Sequence, residues 1–126
     1  MGVRIASALI ASAVVLIAGT APGVAAPAAA RMAPADIQKT FFTGQAFTAS
    51  TPKNIKYTMV FTADGKVTRE PLGKSGVKGA GTWKVDKQGF CTTWKNSTPN
   101  CFLLASSGDN KWSVMKGSKI VAEWSK

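Results

Sequence analysis

The residues able to do chemistry in this chain are few: two cysteines, Cys91 and Cys101, six carboxylates, sixteen lysines and arginines, and no histidine. A nucleophilic triad without histidine lacks its usual general base. A zinc centre wants about four Cys, His or carboxylate ligands, and two thiols alone do not provide them. Paired carboxylates could still support glycosidase-type hydrolysis. However, Asp64, Asp86 and Asp109 sit in or beside turn signals, where aspartate is ordinary for backbone reasons. Asp36 stands at the start of a helical segment, and Glu70 and Glu123 read as solvated strand positions. No catalytic residue, metal site or cofactor is therefore expected, and the chain reads as a non-enzyme.

Two short motifs need a bland reading beside the chemical one. "GKS" at 73–75 has the look of a phosphate loop, but the position five residues before Gly73 is Thr68 rather than glycine. The following "GVKGAG" cannot sustain the helix such a loop requires. "NST" at Asn96 fits a glycosylation sequon but reads as a tight loop closed by Pro99.

The elements that position these residues begin with a leader. Arg4 precedes an apolar stretch from Ile5 to Ala18, followed by small residues with several Ala-x-Ala-like sites, the layout of a secretory signal peptide. The run is short for a membrane span of about 20 residues, and Gly19, Pro22 and Gly23 end it. Residues 1–30 are read as the signal peptide, with cleavage between 25 and 30, which predicts a periplasmic or secreted protein. Cysteine is absent from the cleavage region, so a lipoprotein anchor has no attachment point.

About 100 residues then remain, enough for one domain. A chain that short buries only a little over ~60% of its unfolded surface and benefits from a covalent staple. Two cysteines in an exported chain most simply form one disulfide.

Residues 31–44 read as an Ala/Pro-rich, disordered lead-in running into a short helix over "APADIQKTFF". Pro34 and Asp36 suit its first turn, and Gly44 stops it. Residues 45–126 alternate short β-prone runs with turn signals: "QAFTAS", "IKYTMVFT", "KVTRE", "GTWKV", "FCTTW", "CFLLAS", "KWSVMK" and "IVAEWS". The expected fold is mostly β: one antiparallel meander, barrel-like or sandwich domain of about 7–8 short strands with one N-terminal helix.

Alternation along strands assigns faces. Ile55, Tyr57, Met59 and Phe61 share one; so do Trp83 with Val85, Trp112 with Val114, and Ile120 with Ala122 and Trp124. Lys56, Lys84 and Lys111 fall on the opposite, solvated faces, with Lys95, Lys116 and Lys119 at strand ends. "CFLLAS" is apolar on both faces and reads as a central strand. If "FCTTW" and "CFLLA" pair around Asn96, Cys91 faces Cys101, on the side of the sheet away from the aromatic core.

The order "FTADGKV…GTWKVDKQGFCTTW…C" resembles a family of small exported bacterial proteins known only as a domain of unknown function, number 995. The matching positions are Asp64, Gly65, Gly81, Thr82, Trp83, Cys91, Trp94 and Cys101, within a stretch from about Thr40 to Trp124. The resemblance implies an exported antiparallel β domain and is nearly silent on activity, because its motifs are turn and core residues.

Charge is the most informative functional feature. After the leader, 15 basic residues face 6 acidic ones, a net +9. Such a surface attracts polyanions and steers them in, more weakly at high salt. The expected function is a non-catalytic exported domain whose Lys-rich face binds an anionic polysaccharide, a lipid headgroup or an acidic protein, with Lys56, Lys84, Lys95, Lys111 and Lys116 as the candidate anion-binding residues. The alternative is a secreted effector or inhibitor that recognises an acidic protein. Nucleic acid is disfavoured, because single-strand binders need exposed aromatic platforms, Trp83, Trp112 and Trp124 fall on core-facing positions with Trp94 near a hairpin tip left open to exposure, and export removes the usual partner.

Overall fold

Every β-prone run of the sequence forms a strand: β1 Ala46–Ser50, β2 Lys56–Phe61, β3 Lys66–Pro71, β4 Gly79–Val85, β5 Phe90–Trp94, β6 Asn100–Gly108, β7 Lys111–Lys116 and β8 Lys119–Ser125. These come from a computed structural model that describes Gly2 and residues 30–126; the predicted leader lies outside the described residues. Each strand pairs antiparallel with the next, and β1 closes on β8 through Thr48↔Ser125, Ala49↔Trp124 and Ser50↔Glu123. The meander is therefore a closed eight-stranded barrel rather than a sandwich, and closure leaves no sheet edge exposed. No described helix is long and apolar enough to cross a membrane.

Alternation now means inside against outside. Phe47 and Ala49, Met59 and Phe61, Val67, Phe90, Leu104, Val114 and Trp124 form the buried interior, with Tyr57, Trp83, Trp94, Phe102 and Trp112 packed against it. Ile120 departs from the expected face. Val114 pairs with Ala122 but Met115 pairs with Ile120, so Val121 is an extra residue in β8. Such a bulge reverses the alternation beyond it, and Ile120 points outward, 53% exposed. Val85, expected inward with Trp83, ends β4 and is left 37% exposed.

One end of the barrel is plugged by the helix α1, Pro34–Phe41. Pro34 occupies its first turn and Asp36 lies by the positive end, as expected. Ile37 and Phe41, four residues apart on one face, are fully buried. Phe41 meets Phe47, Trp112 and Trp124 edge-on at 4.8–5.0 Å, while the next residue, Phe42, stacks on Phe61 at 4.4 Å and meets Trp83 at 4.3 Å. The two rings thus splay to opposite walls. At the helix C-terminus Lys126 Nζ donates to the Thr40 carbonyl at 2.6 Å, a favourable place for a cation.

The lead-in expected to be disordered is ordered over its last residues. Strand β6 outruns β5, and beyond Phe102 its backbone has no β5 partner. Arg31 bridges to Ala105, and the Met32 amide donates to the Leu104 carbonyl at 2.8 Å. A bare strand edge must be paired or covered, and here the lead-in covers it. That cover also accounts for Ala105 being buried although it lies on the outer face of β6.

The β5–β6 register sets Cys91 opposite Cys101, and they form the disulfide. It lies on the outer wall, since Phe90, Thr92 and Trp94 of β5 take the inner positions. Gly81 on β4 is required for the neighbouring contact. A Cβ there would run into the Thr93 carbonyl oxygen and lie 2.9 Å from Trp94 Cα.

Candidate functional site

In an up-and-down barrel alternate connections lie at the same end. Residues 62–65, 86–89 and 109–110 join strands at the end closed by α1; residues 51–55, 72–78, 95–99 and 117–118 join them at the open end. Each connection at the closed end carries an aspartate: Asp64, Asp86 and Asp109. The four at the open end carry no carboxylate and hold Lys53, Lys74, Lys78 and Lys95, with Lys56, Lys116 and Lys119 on the flanking strand ends. Lys66, Lys87 and Lys111 offset the aspartates of the closed end, and Glu70 pairs with Lys78 beside the open end, the mouth of the barrel. The ends therefore differ in degree: only the open-end connections are purely cationic.

Two of the closed-end aspartates serve their turns. Asp86 accepts from the amides of Gln88 and Gly89 at 2.9 and 2.6 Å. Asp64 accepts from the Thr62 hydroxyl, which holds its carboxyl below the usual value. The Trp83 indole donates to the Thr62 carbonyl at 2.8 Å, and its amide donates to Gly65 O at 2.9 Å. The Asp64-Gly65 turn and Trp83 of the sequence motif are thus one structural unit at the closed end, while Gly81 lies further along β4 against Trp94 of the cavity wall.

Above the aromatic layer that α1 plugs, the interior is not filled. A cavity of about 240 Å³ opens toward the mouth, with walls that include Tyr57, Met59, Trp94, Phe102, Ala122 and Trp124. Eight-stranded barrels stand at the size where the interior is either filled by side chains or holds one small ligand; this one is filled at one end and hollow at the other. Neither carboxylate nor thiol lines the cavity.

One charge does. Arg69 pairs with Met59 across β2 and β3, so it shares the inward face of Val67. Its guanidinium carbon lies 4.6 Å from the Trp94 ring centre and 5.4 Å from that of Tyr57, within cation–π range of both. Its Nε donates to the Val77 carbonyl at 3.1 Å. The 72–78 loop comes close enough that a Cβ on Gly79 would sit 2.9 Å from Arg69 Nε and 3.3 Å from Trp94 Cε3. That is the positional reason for glycine at the start of β4. The "GKS" segment belongs to this loop and is followed by strand β4, so it forms part of the mouth rather than a phosphate loop.

The expected anion-binding lysines divide. Lys56 opens β2, Lys95 follows β5 and Lys116 ends β7, all at the open end; Lys116 Nζ donates to Asn100 Oδ1 at 2.6 Å. Lys84 stands on the outer wall opposite Cys91, and Lys111 starts β7 at the closed end. Outward faces of a closed barrel wrap its whole circumference, so these lysines do not share one sheet face. What unites three of them is an end of the barrel. Arg69 was not among the expected residues, although the alternation Val67-Thr68-Arg69 on a β-prone run carries the signal that would have turned it inward. No protein-family model, curated protein or solved structure matches the chain.

Proposed function

We propose that this is an exported, non-catalytic binding barrel that docks end-on, mouth first, against an anionic envelope surface of acidic lipid headgroups. The observation that carries this reading is the distribution of charge: open-end connections with four lysines and no carboxylate, against closed-end connections that each hold an aspartate. Apolar tips support a lipid surface over a soluble polyanion. Among the described residues the exposed large apolar side chains are Leu72, Val77, Val85 and Ile120, and all but Val85 stand at the open end among its lysines. Lysines paired with apolar side chains at one surface suit a headgroup boundary, where both terms add. The leader-like N-terminus and the disulfide support export. A cavity without carboxylate or thiol, in a chain without histidine, supports binding rather than proton transfer.

The test is co-sedimentation with vesicles of acidic phospholipid at low and high salt. Each lysine near such a surface contributes about 1 kcal/mol. Replacing Lys53, Lys74, Lys78 and Lys95 together by glutamine is therefore expected to weaken binding roughly 10²–10³-fold, while the same change at Lys66, Lys87 and Lys111 of the closed end shifts it by less than about threefold. Binding that survives high salt unchanged, or responds equally to both sets, would overturn end-on docking. Capture of an acidic protein in place of vesicles would favour the effector or inhibitor reading.

A further inference from the structure

We infer that the interior cavity is a ligand site for one small carboxylate with an apolar, ring-sized body, its carboxylate held by the Arg69 guanidinium. The site goes beyond surface docking and does not depend on it.

The argument rests on an unmatched charge. Arg69 is half-buried on the inner wall, and among the described residues no carboxylate lies within ion-pair distance of it. The single ion pair found there is Lys78–Glu70, on the outer surface. Glu70 neighbours Arg69 in sequence, but alternation along β3 sends it to the opposite face. The bond to Val77 occupies Nε and leaves the two terminal NH₂ groups, the fork that grips a carboxylate with paired hydrogen bonds. Trp94 and Tyr57 both lie within cation–π range of the guanidinium and the Val77 bond tethers it, so little freedom remains to be lost when an anion binds.

The walls and the volume define the rest of the ligand. An apolar cavity of about 150 Å³ admits benzene, so about 240 Å³ accommodates one ring with a short carboxylate arm, roughly ten to twelve heavy atoms. A long acyl chain is too large. Phe61, Phe90 and Trp124 floor the cavity and Met59, Val114 and Ala122 side it, which suits an apolar body and gives a sugar hydroxyl little to bond. Thr92, 4% exposed, also lines it and adds a hydroxyl beside the apolar wall. The lysines of the mouth place the way in at positive potential, so an organic anion is drawn toward the cavity.

Phenylacetate is the probe, with phenylacetamide as its neutral counterpart, titrated into the purified protein and followed by tryptophan fluorescence and calorimetry. Phenylacetate is expected to bind about tenfold or more tighter than the amide, the range of a charge-assisted hydrogen bond. Arg69→Met keeps an apolar stem against Trp94 and is expected to abolish that preference. Ala122→Leu fills the cavity with the charge intact and is expected to weaken phenylacetate at least about tenfold. Equal affinity for the two probes, no binding of either, or wild-type binding by a folded Arg69→Met protein would each overturn the assignment. Should Arg69→Met fail to fold, Ala122→Leu decides it: undiminished phenylacetate binding places the ligand outside the cavity. Vesicle binding should be unchanged in both variants, so loss of the surface reading and loss of the cavity site are separate results.

Discussion

Phe41→Ala is expected to lower unfolding stability by about 3–5 kcal/mol, the range for deleting a buried aromatic ring. Phe41 has no solvent exposure and joins β1, β7 and β8 through Phe47, Trp112 and Trp124. Its helix spans eight residues, and an isolated helix shorter than about 12–15 residues is marginal in water. Tertiary packing of Ile37, Phe41 and Phe42 therefore holds α1 on the barrel, and losing Phe41 removes the plug together with the ring. Small domains are stable by about 5–15 kcal/mol, so the variant should sit near the edge of folding at ambient temperature. Urea unfolding followed by near-ultraviolet dichroism gives the measurement, with Ile37→Val as the conservative companion at about 1 kcal/mol. A loss below about 1 kcal/mol for Phe41→Ala would mean that the barrel closes without its helix, and the ring stacking would then be an accessory.

Which parts of this architecture are legible in sequence follows from the range of the interactions that set them. Strands are local: β-branched and aromatic runs bounded by Gly, Asn, Pro and Asp mark all eight, and alternation alone turns Met59, Phe61, Val114 and Trp124 inward. Closure is not local. The choice of barrel over sandwich is made by the β1–β8 pairing of Ala49 with Trp124, two residues at opposite ends of the domain whose own neighbourhoods carry no trace of it. The bulge at Val121 is equally silent, because "KIVAEW" alternates acceptably in either phase and only the register against β7 shows where the phase changes. The candidate site suffers in proportion. Lysines can be assigned to solvent from their own strands, but assigning them to an end requires knowing that the chain runs up and down without crossing over. Arg69 shows the converse case: its inward direction was readable from Val67, yet one arginine among many basic residues looks like surface until the cavity behind it is seen.

Removing the disulfide, by Cys91→Ala with Cys101→Ala or by reduction, is expected to cost about 3 kcal/mol, the chain-entropy value for a loop of about 11 residues. For a domain of this size that corresponds to a fall in Tm on the order of 15 °C. The position of the bond argues that the effect goes beyond the unfolded chain. β5 and β6 pair over Phe90↔Phe102, Cys91↔Cys101 and Thr92↔Asn100 alone, whereas β1 and β2 pair along the whole of β1. With the three-pair β1–β8 closure, the β5–β6 seam is thus one of the two shortest ladders in a ring that needs every ladder to stay closed, and it is the one with the disulfide at its centre. Trp94 and Phe102, one on each side of the seam, both line the cavity. Opening the seam should therefore loosen the Trp94 wall before the barrel unfolds globally, as expected where backbone pairing is sparse. Hydrogen exchange checks the order of events: in the reduced protein, protection should fall first at the amides of residues 90–94 and 100–102, while β1 and β2 keep theirs. A reduced protein with unchanged Tm and uniform protection would show that the helix plug and the β1–β8 closure hold the ring without its covalent clasp, and the seam would then be no weaker than its neighbours.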